Sequence, residues 1–190
     1  MPFDLQPILT GELLELRPLR PGDFAALYAV ASDPLIWAQH PEPDRYKADV
    51  FRTYFDSGVE SGGAFLVIDR ADGRIVGSSR FHGCDDAASE IEIGWTFLAR
   101  SHWGGRYNRE LKRLMLDHAF RFVDHVIFKV GPKNLRSQKA MEQIGGVRVG
   151  FSPDSRGHEA IVFRIDRVVM EPGAMFRALD DRPAVKPLAR

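Results

Sequence analysis

The sequence is poor in three features that would each point to a particular class of protein. It has one cysteine in 190 residues, Cys84, so no disulfide can form within the chain. No apolar run approaches the roughly 18 residues that a membrane-spanning helix needs. Lysine plus arginine equals aspartate plus glutamate, at 26 each, so no excess charge favours a nucleic acid or a membrane surface as partner. We therefore expect a protein that binds neither.

Two further signals are missing. The first 19 residues show no basic segment followed by an apolar one, so we expect no signal peptide and a cytoplasmic location. The six histidines show no HExxH spacing and have no CxxC partner, so we expect no bound metal. What remains is a composition of 44% hydrophobic and 27% charged residues, which is typical of an ordinary globular domain.

The spacing of the apolar residues predicts one α/β or α+β domain on a mixed sheet. The predicted order is strand, two helices, three strands, helix, strand, helix and two strands. The strand–helix–strand unit over residues 90–130 requires a parallel pair. The predicted strands are 11–19, 64–70, 74–83, 88–98, 125–130, 147–151 and 159–165, and the predicted helices lie within 20–34, 43–61, 106–123 and 134–144. We expect the domain to span residues 1–168, followed by a proline-containing tail, 169–190, that packs weakly or reaches a partner chain.

The segment ARSHWGGRYNRE, residues 99–110, lies between a predicted strand and a predicted long helix. A helix N-terminus carries unpaired N–H groups and a partial positive charge, and glycines let an anion approach that backbone. The pair Gly104-Gly105, followed by Arg106 and Arg109, therefore fits a phosphate site. A tight turn that leads into a helix, with no bound anion, is an alternative interpretation of the same residues.

Three stretches together carry a family resemblance: IEIGWTFLARSHWGGRYNRE, NLRSQKAMEQIGG and LELRPLRPGDFAALYA. Over residues 11–166 the chain resembles the GNAT superfamily of N-acetyltransferases. Within it, the chain looks most like the RimJ/RimL-like branch of ribosomal-protein-alanine N-acetyltransferases. The resemblance implies a twisted, mostly antiparallel sheet of about seven strands flanked by about four helices. It also implies acetyl-CoA as cosubstrate and a primary amine, on a protein N-terminus or a small molecule, as acceptor.

The resemblance assigns the glycine turn to the CoA pyrophosphate. The implied contacts are Trp103, Gly104, Gly105, Arg106, Tyr107 and Asn108, with Phe97 and Leu98 beside the cofactor. Trp103, Gly104 and Tyr107 match the form usual in the branch. Arg106 stands where glycine is usual, and Asn108 where glycine or alanine is usual.

A second predicted contact lies at the start of the helix 134–144. Asn134 can cap this helix by accepting first-turn N–H groups, and the resemblance also gives it a contact to the pantetheine arm. The resemblance places Ser137 near the thioester sulfur. Many relatives carry a tyrosine four residues later that protonates the leaving thiolate, but this chain has Met141, which has no proton to donate. Ser137, or a water that it holds, is then the candidate acid.

The strand EIEIGWTF supplies carboxylates. Alternation predicts Glu90, Glu92, Gly94 and Thr96 on one face, and Ile91, Ile93, Trp95 and Phe97 on the other, core-facing one. Two carboxylates on one face can simply be solvent-exposed. The resemblance makes Glu92 the candidate base for the acceptor ammonium, with Glu90 as the alternative.

Other residues have weaker claims. His82 and Cys84 can line an acceptor pocket, although a buried thiol is the simpler interpretation. Trp37 and His40 can contact a substrate or simply pack, and His118 fits a hydrogen-bonded core position.

Two other classes of protein also stay open: a non-catalytic acyl-CoA-binding module and a protein-interaction domain. The tail allows a homodimer, and the acceptor amine has no signature of its own.

Overall fold

An eight-stranded sheet runs through the part of the chain that the computed structural model describes, residues 1–154 and 156–167. Its strand order is β1-β2-β3-β4-β5-β6-β8-β7, and every neighbouring pair is antiparallel except β5 and β6. The strands are β1 (Leu9–Thr10), β2 (Leu14–Pro18), β3 (Ala64–Asp69), β4 (Ile75–Asp85), β5 (Glu90–Leu98), β6 (His125–Val130), β7 (Val147–Pro153) and β8 (Glu159–Asp166).

Within the same residues, five α-helices accompany the sheet. They are α1 (Phe24–Ala31), α2 (Pro34–Trp37), α3 (Ala48–Glu60), α4 (Arg106–Ala119) and α5 (Leu135–Gln143). The predicted fold class, a mixed and mostly antiparallel sheet with flanking helices, is confirmed. The structure adds β1 and α2, which have two and four residues and are therefore too short to show a hydrophobic period.

The segment that contains α2 is held in place by local chemistry. Asp33 accepts a hydrogen bond from the backbone N–H of Leu35 at 3.0 Å, and Pro34 occupies the first helical position, where its missing N–H costs nothing. The indole of Trp37 donates to the carbonyl of Ala31 at 2.7 Å. This segment therefore presents Trp37 to the rest of the fold in one defined orientation.

Two hydrophobic clusters cover the two faces of the sheet. On one face the sheet packs against α4 and α5, with Leu111 and Met115 fully buried. On the other face it packs against α1, α2 and α3, where Phe51 is fully buried. Full burial of each such side chain contributes about 1.5–3 kcal/mol, so the sheet is stabilised from both sides.

The parallel pair β5–β6 is short. Glu90–Glu92 pair with His125–Ile127, and the two strands then separate. Beyond this point β5 continues to pair with β4, and β6 continues to pair with β8. The sheet therefore opens into a wedge at its centre, and the strand edges facing the wedge carry backbone groups that no strand pairs.

The predicted tail lies outside the described residues, as does the boundary at residue 168. Within the described ranges, no helix has both the length and the apolar character to cross a membrane.

Glu110 anchors α4 to the start of β2, and we expect its loss to destabilise the fold. Its buried carboxylate accepts hydrogen bonds from the backbone N–H groups of Glu12 and Leu13. Replacing Glu110→Ala leaves those donors unpaired, at a cost of about 1.5–3 kcal/mol in the free energy of unfolding. Urea unfolding measures this change. Glu60→Ala, at an exposed helix end, is the control, and equal small effects in both variants would contradict the anchoring role.

Candidate active site

A cavity of about 450 Å³ occupies the wedge between β5 and β6. Its wall includes Thr96 from β5, Phe128 from β6, the first turns of α4 and α5, and the segment around α2. Nine of the predicted site residues line it: Glu92, Phe97, Leu98, Trp103, Gly104, Gly105, Asn108, Asn134 and Ser137. Residues distant in sequence thus meet in one concave space because the two strands diverge there.

The glycine turn forms one end of this cavity. Gly104 has φ +84° and Gly105 has φ +159°, and a Cβ built on either glycine would meet no other atom within 4 Å. Helix α4 begins directly after them without a side-chain cap. The first-turn N–H groups, which a helix leaves unpaired, are therefore accessible to an anion in the cavity.

Trp103 fastens the turn to the end of β5. Its indole N–H donates to the carbonyl of Leu98 at 2.9 Å, and the guanidinium carbon of Arg136 lies 3.9 Å from its ring centre. This contact joins the first turn of α5 to the glycine turn. The two helix N-termini therefore face the same cavity.

Two of the predicted cofactor contacts, Arg106 and Tyr107, are not in the cavity wall. The hydroxyl of Tyr107 donates to Asp69 at 3.3 Å, and its ring packs against His102, which itself bonds Asp69 at 3.0 Å. Arg106 is exposed, with its guanidinium carbon 5.6 Å from the Tyr107 ring centre. Tyr107 thus serves as an anchor for α4, and only its backbone belongs to the turn.

A bulge at Trp95 changes which residues of β5 face which side. Trp95 has φ +51°, and the register against β4 shifts between Ser78 and Arg80. The carbonyl of Trp95 accepts the hydroxyl of Tyr54 at 2.6 Å, which holds the bulge in place.

Strict alternation along β5 was therefore a wrong prediction beyond Gly94. Ile91 and Ile93 pack on the α4 side, whereas Trp95 and Phe97 pack with the helices of the opposite face. The extra residue of a bulge turns every later side chain over. As a result, Thr96 points to the α4 side.

Glu92 lies in the cavity wall just before the strands separate. Burial raises the pKa of its carboxyl above the usual range, and the nearby ammonium of Lys129, at 3.7 Å, opposes that shift. Glu90, on the same strand, does not line the cavity. A partly desolvated carboxylate with a raised pKa has the character of a general base.

The start of α5 supplies Asn134 and Ser137. The side-chain oxygen of Asn134 accepts the backbone N–H of Ser137 at 3.2 Å, so the capping role is present. Both residues also face the cavity, together with Met141.

Lys112 also lines the cavity, although the sequence did not predict it as a site residue. It is 3% exposed, its ammonium donates to the hydroxyl of Thr96 at 2.7 Å, and it lies 5.3 Å from the ring centre of Phe128. Burial lowers the pKa of Lys112 to about 7. The signal was its position four residues after Asn108, on the same stripe of the helix.

Of the weaker candidates, Trp37 and His40 line the cavity, whereas His82 and Cys84 do not. His82 packs against the Trp95 ring, and Cys84 is exposed rather than buried. His118 is a buried core residue whose Nε2 lies 2.7 Å from the carbonyl of Asp4, as its position on the apolar helix face predicted.

Residues 14–147 match the acetyltransferase (GNAT) domain family. The chain belongs to this family. It is therefore an acetyl-CoA-dependent acyltransferase.

Solved structures share the fold. A GCN5-related N-acetyltransferase from Brucella melitensis has a TM-score of 0.76 and 22% identity, covering 94% of this chain and 86% of its own. RimJ of Mycobacterium smegmatis, in complex with CoA-disulfide, has a TM-score of 0.65 and 19% identity, covering 88% and 89%. An acetyltransferase of the GNAT family from Bacillus anthracis has a TM-score of 0.69 and 22% identity, covering 84% and 98%.

The buried Lys112 makes the stability of this GNAT protein depend on pH. Its pKa is lower in the folded state than in the unfolded chain, so the unfolded chain binds more protons and stability rises with pH between about 7 and 10.5. We expect Lys112→Met to raise the free energy of unfolding at pH 7 by more than about 1 kcal/mol, since one pKa unit corresponds to about 1.4 kcal/mol. Urea unfolding from pH 6 to 10 tests this, with exposed Lys133→Met as the control. An unchanged pH slope in Lys112→Met would contradict it.

Proposed function

We propose that this acetyltransferase moves the acetyl group of acetyl-CoA onto a primary amine by direct attack within the cavity between β5 and β6. The acceptor amine belongs to a protein N-terminus or to a small molecule. One observation carries the proposal: a single cavity contains an uncapped helix N-terminus, unpaired strand edges and a half-buried carboxylate.

The residues present fit acetyl-CoA. Gly104, Gly105 and the first-turn amides through Asn108 offer N–H groups to the pyrophosphate. The open edge of β5 offers peptide groups to the pantetheine arm, with Phe97 and Leu98 in the same wall. Asn134 offers an amide to the same arm. Acetyl-CoA bound there supplies an activated thioester, and the β5 backbone N–H groups at the wedge can polarise its carbonyl.

Proton transfers complete the reaction. Glu92 accepts the excess proton of the acceptor amine, directly or through water, as the new C–N bond forms. Ser137, or a water that it holds, gives a proton to sulfur as the C–S bond breaks. Proximity supplies much of the rate, because both substrates are held in one cavity. Release of free thiol from acetyl-CoA with a panel of amines tests the proposal as a whole.

A non-catalytic acyl-CoA-binding module is the second candidate. Two observations favour it: Met141 lines the cavity where an acid would act, and the turn carries Arg106 and Asn108 in place of small residues. Tight binding of acetyl-CoA without thiol release by any amine would support this candidate over catalysis.

Glu92→Gln should lower kcat by at least about 100-fold, because the amide keeps the shape but accepts no proton. In the wild type, activity should fall as the pH drops through the raised pKa of Glu92, since the base must be unprotonated. Steady-state thiol release measures both effects. CoA affinity should stay unchanged.

Glu90→Gln is the matched control for that variant. It makes the same change two residues earlier on the strand, outside the cavity wall. A kcat that falls in Glu90→Gln and not in Glu92→Gln would transfer the role of base to Glu90.

Gly104→Ala should weaken CoA binding by at least about tenfold, which corresponds to 1.4 kcal/mol. The added methyl group meets no protein atom, but it is strained at φ +84° and projects where the pyrophosphate approaches. Isothermal titration with CoA measures the affinity. Gly73→Ala, at φ +73° in the hairpin turn between β3 and β4, is the control with the same strain and the same open space. Equal affinities in the two variants would remove the turn from the CoA site.

A further inference from the structure

Arg45 is a buried cation in the cavity wall, placed at the α2 side rather than at the glycine turn. It is 7% exposed, and its guanidinium carbon lies 4.9 Å from the Tyr54 ring centre and 5.6 Å from that of Trp37. Tyr54 in turn bonds the carbonyl of Trp95 at the bulge. One aromatic ring therefore separates Arg45 from the bulge in β5.

No carboxylate within the described ranges forms an ion pair with Arg45, whereas Arg156 and Lys129, which line the same cavity, are both paired. Arg156 is bound to Glu42 and approaches Asp154 at 3.7 Å. Lys129 lies 3.7 Å from Glu92. The acidic groups nearest to Arg45 are thus engaged with other cations.

His40 contacts the guanidinium but brings no negative charge to it. Its Nε2 lies 3.2 Å from Nη1 of Arg45, and its Nδ1 accepts the backbone N–H of Glu42 at 3.0 Å. Burial and the Arg45 charge lower the pKa of His40 to about 3, so the ring is neutral. A neutral ring has one acceptor nitrogen, so it can accept from Glu42 or from Arg45 but not from both.

A buried guanidinium whose charge is not balanced by a carboxylate is costly, because a neutral imidazole replaces only part of its lost hydration. A carboxylate is the ligand that matches its geometry, since two parallel N–H groups can bind two oxygens. In the cavity, such a ligand would lie between Arg45 and the wedge where Glu92 faces the acceptor amine.

We propose that Arg45 binds a carboxylate of the acceptor, so that the acceptor class is a small amine with a carboxylate near its amino group, such as a free amino acid. This rests on the proposed function, because it assumes that the acceptor amine reaches Glu92. The same chemistry exists in a peptide whose second residue is acidic, and the assay below separates the two sources.

The experiment compares alanine with alaninamide, and 4-aminobutyrate with its amide, as acceptors in thiol release from acetyl-CoA. Rates are divided by the fraction of neutral amine, because amidation changes the amine pKa. Wild-type protein should favour the carboxylate form by about tenfold or more in kcat/KM, as expected for a charged hydrogen bond. Peptide amides beginning Ala-Asp and Ala-Asn form a parallel pair, and a preference confined to Ala-Asp would overturn the amino-acid class.

Two variants assign the preference to Arg45. Arg45→Met keeps an unbranched apolar side chain in place of the arginine stem and should reduce the preference to about one while leaving CoA affinity unchanged. Arg45→Lys keeps the charge without the paired N–H groups and should give an intermediate preference. The control is Arg52→Met, which removes a guanidinium stacked on the Phe24 ring outside the cavity. Thermal unfolding confirms that each variant is folded.

Three results would overturn the proposal. The first is an equal kcat/KM of the wild type for the carboxylate acceptors and their amides. The second is an equal fall of kcat/KM for both kinds of acceptor in Arg45→Met. The third is a loss of CoA affinity in that variant. If the protein releases thiol from acetyl-CoA with none of the amines, the proposed catalysis fails. Calorimetry with alanine in the presence of CoA then tests whether Arg45 binds a carboxylate. Binding of alanine, but not alaninamide, to wild type and not to Arg45→Met would still support the carboxylate site, and absence of binding would overturn it.

Discussion

The separation of β5 from β6 after three paired residues is the constraint on which the rest of the site depends. Two parallel strands that stay paired leave no room between them, whereas these two expose their facing edges to a cavity. The bulge at Trp95, held by the hydroxyl of Tyr54, turns Thr96 towards α4 and Phe97 towards α3. The β5 wall of the cavity therefore depends on one irregularity in that strand.

Much of this arrangement was predictable from local sequence signals. Alternation in β5 as far as Gly94, the glycines before α4 and the Asn134 cap depend on neighbouring residues, so they can be recognised in the sequence. The bulge was not predictable in that way, because the side chains of EIGWTF fit a regular strand. The residue with a left-handed backbone conformation is Trp95, whereas glycine is the residue that usually marks such a position. The anchoring of Tyr107 on Asp69 was also hidden, since it joins residues 38 positions apart.

The buried charges were hidden for the same reason. Lys112 and Arg45 read as ordinary surface cations in sequence, and only the tertiary fold places them in the cavity wall. Proteins seldom bury such groups without a partner, so their position carries functional information. The cavity thus combines a glycine turn suited to phosphate, a carboxylate suited to proton transfer and cations suited to the anionic parts of its ligands.

The central claim is that the wedge between β5 and β6 holds CoA. A crystal structure of the protein with CoA tests this most directly. The account predicts the pyrophosphate on the N–H groups of residues 104–108 and the pantetheine arm between the two strands, with its sulfur end in the same cavity as Glu92. A pantetheine arm bound outside the wedge, or strands that close on each other with CoA elsewhere, would contradict it.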